Sequence, residues 1–375
     1  MQVRTLWLTD FRSYTEARTN LAPGLTALVG ANGEGKTNLL EALAWLATLS
    51  SFRGAPTEAL VRRGAPFAVV RALAERDGRE LLVEAQLQPT GRNRIQVNRQ
   101  PLRRARDLLG SLQVSVFTPD DLAIVKGGPD ERRRFTDQVL VGLHPRNDAL
   151  RVEVDRVLRQ RNALLRGAGG RLDEGAAFTL DVWDAKLAGS GGALAAARLD
   201  LLDRMRPALA ATYDALARRP AHVQASYEAG WGPPTGLGGD GSGDRQAALT
   251  EALAAALASA RSEDVRRGVS TTGPHRDEVV LSIAGAPART QASQGEQRTL
   301  ALALRLAAHH VVAEVGGSPP VLLLDDVFSE LDPDRSAALL AHLPPTQTLV
   351  TTAGGLPPGA EPELVLRLEG GRVVA

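Results

Sequence analysis

Gly30-Ala31-Asn32-Gly33-Glu34-Gly35-Lys36-Thr37 fills every position of the pattern G-x-x-x-x-G-K-[ST]. An apolar run at residues 25–29 precedes it, and Leu39, Leu40, Leu43 and Leu46 follow at helical spacing within residues 37–49. Strand, glycine loop and helix is the context that gives this run its chemistry. Glycines let backbone N–H groups wrap a phosphate with no Cβ in the way, and the helix N-terminus adds partial positive charge. Lys36 is placed to reach β- and γ-phosphates, and the Thr37 hydroxyl to ligate Mg²⁺. A chance match in a chain of this composition is on the order of 0.003. The run therefore predicts an α/β fold built around a phosphate-binding loop.

Its partner lies far downstream. Val321-Leu322-Leu323-Leu324-Asp325-Asp326 reads as a buried strand ending in two carboxylates. The C-terminal end of a parallel strand is where such sheets present ligand groups. Asp325 is expected to hold Mg²⁺ through water, and Asp326 stands where a base orienting the attacking water is needed. The 288 positions from Lys36 to Leu324 exclude small GTPases and kinases, whose corresponding elements lie much closer. No N-K-x-D motif for reading guanine is present.

Between these anchors the patterning changes twice. Residues 3–8, 68–74, 81–87, 94–97 and 112–117 read as strands punctuated by Gly91, Pro101 and Pro119. Residues 130–216 read as long helices with apolar stripes, among them Val154, Val157, Leu158, Leu164 and Leu165. Residues 230–244 are glycine-rich and predict a flexible loop. A helix near 245–262 follows, then strand, turn and strand up to Ile283. The last third alternates helix (296–315), strand (321–324), helix (333–342) and strand (348–351), the mark of a parallel sheet. The simplest assembly places the N-terminal strands and the last third in one sheet. It assigns residues 1–126 and 265–375 to an ATPase lobe and 127–264 to an inserted, mostly helical lobe.

Composition fits that picture. With 375 residues, 43% hydrophobic and 23% charged, the chain is globular and long enough for two lobes. It has no cysteine, which excludes disulfides, thiolate zinc sites and cysteine nucleophiles. No spanning run or signal-peptide layout is visible, so a soluble, cytoplasmic protein is expected. Basic and acidic residues nearly cancel at 44 against 43, so any basic surface must come from uneven placement. Residues 91–106 carry six arginines and no acid, and residues 132–166 carry nine arginines against four acids. Arg92, Arg94, Arg103, Arg104 and Arg106 are thus candidates for a phosphate-binding face, as on a nucleic-acid backbone, with the 132–166 helices as second choice and solvated surface as the alternative. Aromatics are sparse, which favours backbone contact over base stacking.

Two further segments refine the class. Ser293-Gln294-Gly295-Glu296-Gln297, at the start of a helix, resembles the signature loop of ABC-type ATPases. Ser329-Glu330-Leu331-Asp332 resembles their D-loop. The order and register of the four motifs resemble an ABC/SMC-head-like P-loop ATPase lobe, with a parallel core sheet and N-terminal antiparallel strands. Segments spread over nearly the whole chain then resemble the RecF family of bacterial recombination mediators and replication-repair ATPases. They are Asp10-Phe11-Arg12-Ser13-Tyr14, Ser51-Phe52-Arg53, Phe117-Thr118-Pro119-Asp120-Asp121-Leu122, Val125-Lys126-Gly127-Gly128-Pro129, Arg132-Arg133-Arg134-Phe135, Trp183 with Leu187 and Gly189, and Thr272-Gly273-Pro274-His275-Arg276-Asp277.

That resemblance implies ATP with Mg²⁺ as cofactors, slow DNA-stimulated hydrolysis and an ATP-dependent homodimer. In such a dimer Ser293, Gln294, Gly295 and Glu296 face the nucleotide of the other subunit. It also implies binding to DNA at single-strand/double-strand boundaries, RecR and RecO as partners in recombinase loading, and no membrane. Two departures stand out. The histidine usual in ABC switch loops would fall near Thr351-Thr352, where there is none, and no Q-loop glutamine can be assigned. His275 is expected to be a buried, hydrogen-bonded histidine, and His309 and His310 to have packing or surface roles. Competing readings are an ATPase subunit of a membrane transporter, which would lack the large helical insertion, and a nucleotide-gated scaffold without significant hydrolysis.

Overall fold

The computed structural model describes residues 1–232 and 242–374. Its strands are β1 (Gln2–Phe11), β2 (Tyr14–Asn20), β3 (Leu25–Val29), β4 (Ala68–Arg76), β5 (Arg79–Leu87), β6 (Arg94–Val97), β7 (Gln100–Pro101), β8 (Val114–Phe117), β9 (Val223–Glu228), β10 (Glu278–Ile283), β11 (Ala286–Pro287), β12 (Val321–Asp325), β13 (Thr348–Thr352), β14 (Leu364–Glu369) and β15 (Arg372–Val374). The helices are α1 (Lys36–Thr48), α2 (Thr57–Leu60), α3 (Leu122–Lys126), α4 (Pro129–Leu143), α5 (Asp148–Gly167), α6 (Glu174–Ala217), α7 (Ser242–Arg267), α8 (Ala288–Gln291), α9 (Gln294–Gly316) and α10 (Pro333–Ala341). Of the stretch expected to be a loop at 230–244, residues 233–241 lie outside the described residues.

Contacts divide the chain into two compact units. The first comprises Met1–Leu122, Ala211–Pro220 and Arg298–Ala375, and the second Ala123–Ala210 and Ala221–Gln297. Residues 265–297, assigned from sequence to the ATPase lobe, thus group with the second unit.

Two six-stranded sheets build the first unit. One has the order β2-β1-β4-β5-β6-β7 and is antiparallel throughout. The other has the order β15-β14-β3-β13-β12-β8, parallel except where β15 turns back on β14. The expected parallel core and antiparallel N-terminal strands are both present, but not in one sheet. Only β3 and β8 leave the N-terminal part to join the last third. The reason lies in burial on two sides: β12 and β13 are buried at every position, so parallel neighbours are needed at both edges.

Helix α1 fills the space between the sheets. Leu39, Leu40, Leu43, Trp45 and Leu46 belong to a core cluster that also holds Leu6 and Leu8 of β1, Val70 of β4, Leu323 of β12 and Leu349 of β13. A helix apolar on nearly every side is one packed on both faces. This packing fixes the helix N-terminus, and with it the phosphate loop.

The second unit carries α4, α5, most of α6, α7 and a small antiparallel sheet ordered β11-β10-β9. The strand pair expected after α7 is instead β10 alone, matched to β9 on the other side of that helix in sequence. Residues 268–277 are loop, bound by a buried polar cluster. Tyr227 Oη and Trp231 Nε1 donate to the Asp277 carboxylate, the latter at 2.7 Å, and burial pushes that carboxyl up to about 6. His275, expected to be buried, is half-buried; its Nε2 lies 3.2 Å from the Ser270 carbonyl and its Nδ1 has no partner. In the first unit His309 is buried with Nδ1 2.9 Å from Ser115 Oγ, whereas His310 is exposed. No helix among the described residues is long and apolar enough to cross a membrane.

Candidate nucleotide site

Residues 30–35 leave the C-terminal end of β3 and turn directly into α1. Gly33 and Gly35 have φ of 92° and 94°, in the left-handed region that side chains resist. Gly35 is also sterically closed, since a Cβ there would lie 2.9 Å from both Ser13 Oγ and Tyr14 Oη. At Gly30 a Cβ would come within 2.6 Å of the Leu368 carbonyl. The α1 N-terminus has no side-chain cap, which leaves it open to an anion. Lys36 is 6% exposed, and its Nζ donates to the carbonyls of Gly30 (2.7 Å) and Ala31 (2.8 Å). The ammonium therefore sits inside the loop it is to serve, holding the loop's curvature.

The fold brings the two acids to this loop across 288 positions. Thr37 Oγ1 donates to Asp325 Oδ1 at 2.8 Å, and Thr351 Oγ1 donates to the same oxygen at 2.8 Å. Burial pushes the Asp325 carboxyl above the usual aspartate range; the two hydroxyls oppose that shift and the Asp326 carboxylate adds to it. Asp326 adopts the left-handed conformation, with φ 49°. Its N–H donates to Thr351 Oγ1 at 2.9 Å, and its carbonyl accepts from Ser329 Oγ at 2.8 Å. One of its carboxylate oxygens, Oδ1, is buried without a partner.

These residues suit Mg²⁺. Among the described residues no group of three or more His, Cys, Asp and Glu forms an all-protein cage. Magnesium in nucleotide sites is held instead by one or two carboxylates together with phosphate oxygens. Thr37 gives its proton to Asp325, which leaves its oxygen lone pairs for a cation. The orphaned Asp326 Oδ1 and the raised Asp325 are what a buried acid pair shows when it lacks a positive partner.

Two buried polar residues beside these motifs were not legible as such. Glu41, fully buried on α1 four residues after Thr37, accepts Arg12 Nε at 2.8 Å and Arg12 Nη2 at 2.7 Å, and also Ser51 Oγ. A lone carboxylate inside an apolar helical run was the available signal. Thr351 stands where a switch histidine was sought; nothing in its own sequence neighbourhood announces its two contacts.

The remaining motif residues are placed as follows. Arg298 binds the Glu330 carboxylate at 2.5 Å and its carbonyl at 3.3 Å, steadying the 329–332 tetrapeptide. Asp332 caps α10 by accepting from Arg335 N at 2.9 Å. Ser293, Gln294, Gly295 and Glu296 lie in the second unit. There Ser293 N and Oγ both donate to Glu296 Oε2 at 2.9 Å, and Glu296 N donates back to Ser293 Oγ at 3.3 Å. This reciprocal cap shapes the start of α9. Arg92, Arg94, Arg103, Arg104 and Arg106 are all exposed, on or beside the β6–β7 hairpin. The 132–166 arginines are largely spent within their own unit. Arg132 pairs with Glu278, Arg133 with Asp130, Arg134 with Glu131, Arg151 with Asp148 and Asp155, Arg156 with Glu153, and Arg161 with Asp184 and Asp264.

Comparison with known proteins agrees with this geometry. The RecF/RecN/SMC N-terminal domain family matches residues 2–353. The chain is 43% identical to the DNA replication and repair protein RecF of Arthrobacter sp. (strain FB24), over 94% of this chain and 93% of that one. It is 44% identical to the protein of the same name from Kineococcus radiotolerans, again over 94% and 93%. A solved structure of the recombination mediator protein RecF with ATP, from the RecFOR pathway, superposes with a TM-score of 0.90 at 27% identity, covering 100% of this chain and 97% of that one.

Proposed function

This chain belongs to the RecF family of DNA replication and repair proteins, and on that premise we propose that it is an ATP-gated DNA-binding ATPase of recombinational repair and replication restart. The observation that carries the proposal is the phosphate loop, Asp325 and Asp326 assembled at one end of the parallel sheet. Gly30, Ala31, Asn32, Gly33, Glu34 and Gly35 cradle the ATP phosphates with their backbone, and Lys36 leaves its loop carbonyls for phosphate oxygens. Thr37 and, through water, Asp325 would hold Mg²⁺, which when bound would supply neutralising charge to the nucleotide phosphates. Asp326 orients the attacking water and accepts its proton. With no histidine near Thr351, turnover is slow.

Ser293, Gln294, Gly295 and Glu296 complete the nucleotide site of a second copy, so ATP closes a homodimer. DNA with single-strand/double-strand boundaries binds through phosphate contacts, and the exposed arginines of residues 92–106 are the favoured surface. RecR and RecO, suggested by the family, are the partners in recombinase loading. Sedimentation with ATP, ADP or no nucleotide, each with and without gapped duplex DNA, tests the proposal. A dimer is expected with ATP, favoured further by DNA. A monomer in all six conditions would refute the gating.

A further inference from the structure

Thr351 lies on β13 directly opposite Asp325 of β12 and is fully buried. A hydroxyl has one proton to give and two lone pairs to receive. Here the proton goes to Asp325 Oδ1 (2.8 Å) and a lone pair takes the Asp326 N–H (2.9 Å). Thr37 donates to the same Asp325 oxygen from the phosphate loop (2.8 Å). The result is an unbroken chain: Asp326 N–H to Thr351, Thr351 to Asp325, and Thr37 to Asp325. Members of such a chain polarise one another.

Asp326 needs a support of this kind. An aspartate at φ 49° occupies a sparsely populated region, a conformation that persists only where its surroundings hold it. Thr351 grips it on the amide side and Ser329 on the carbonyl side. The carboxylate is left with a buried oxygen that no protein group satisfies. Burial alone does not call for a hydroxyl on β13: Leu349 and Val350 are apolar and as buried as the threonines at 348, 351 and 352.

We propose that Thr351 is a positioning residue for hydrolysis: its hydroxyl ties Asp325 to the backbone of Asp326, so that the Asp326 carboxylate is aimed at the attacking water once Thr37 and Asp325 are engaged. The proposal rests on the role given above to Asp326. It assigns to a threonine the task of linking the metal-side acid to the water-side acid.

Thr351→Val and Thr351→Ser in the full chain test it with three readouts: ATP affinity, single-turnover hydrolysis, and hydrogen exchange of the Asp326 amide in nucleotide-free protein. The valine variant should bind ATP within about threefold of wild type, since a difference under 1 kcal/mol is expected where no ligand contact is lost. It should hydrolyse at least about tenfold more slowly, the scale of a misplaced acid–base group, and its Asp326 amide should exchange faster. The serine variant restores the hydroxyl and should recover both rate and protection. Wild-type turnover in the valine variant would overturn the proposal and leave the reading of Asp326 standing. So would an equal loss of rate, affinity and melting temperature that serine does not rescue, which is the mark of a merely structural residue. Absence of any turnover in the wild type would instead refute hydrolysis itself, and the proposal with it.

Discussion

Replacing Asp325 with asparagine separates metal binding from fold stability. Asp325 is 7% exposed, and its Oδ1 receives both the Thr37 and the Thr351 hydroxyl at 2.8 Å. Asparagine keeps that acceptor, so both bonds survive, each weakened by about 1 kcal/mol on going from a charged to a neutral acceptor. Against this stands relief of the desolvation of a buried charge, several kcal/mol per ion, and of repulsion from Asp326. Nucleotide-free Asp325→Asn should therefore melt no lower than wild type at neutral pH. The sign of the pH dependence follows. The folded carboxyl titrates above its unfolded value of 3.8. Wild-type stability from this group therefore increases as pH falls through the raised value towards 3.8, and the gap to the variant narrows in acid. Binding should move the other way. Losing one charge-assisted contact to the hydrated cation costs about 1.5–3 kcal/mol, which is roughly 10- to 150-fold in Mg·ATP affinity. ATP in EDTA should bind both proteins alike. Calorimetric titration in each condition, with melting curves of the free proteins, makes the comparison. Undiminished Mg·ATP affinity, or a loss of equal size in EDTA, would refute the metal assignment.

Other consequences can be checked separately. Lys36→Met removes the ammonium that sits inside the loop, and nucleotide titration should show ATP affinity reduced at least about tenfold, the scale of one lost charged contact; Lys36→Arg should retain part of it, because a planar fork fits a point-charge site poorly. Joint replacement of Arg92 and Arg94 by alanine should weaken DNA binding with ATP affinity unchanged. Each lost phosphate contact should make the slope of log affinity against log salt shallower by about 0.9 on duplex DNA, and a wild-type slope would return these arginines to solvated surface. Burial holds His309 at about 4, well below the ordinary 6.5, with Nε2 unpartnered. Its contribution is present above pH 6.5 and lost as pH falls towards 4, by about 2 kcal/mol at pH 5; denaturant unfolding of His309→Gln should lack that part of the acid slope, and an unchanged slope would refute it.

The phosphate loop, the strand ending in Asp325-Asp326, and most helices were legible because their signals are local. A glycine loop needs its own residues for its own φ angles, and β12 reads as a parallel core strand from five consecutive buried positions. The family motifs were legible for the same reason: each is a short run with its meaning inside it. Partition of the strands was not. Local apolar patterning marks β3 and β8 as strands without saying which sheet receives them, and the parallel pairing of β3 with β13 joins Leu25 to Thr348 across nearly the whole chain. Charge counting along the chain could not show pairing, for a related reason. The arginines at 132 and 161 looked available because Glu278, Asp184 and Asp264, which neutralise them, lie 23 to 146 positions away. Glu41 and Thr351 carry no local mark of their partners either. What a side chain is bonded to depends on which distant segments the core brings alongside it, and burial then makes each such bond count, since an unpaired polar group has no water to turn to. Sequence determined which phosphate-binding and acidic motifs this protein carries; only the tertiary structure decided which hydroxyl bonds to both acids and which arginines remain exposed to solvent.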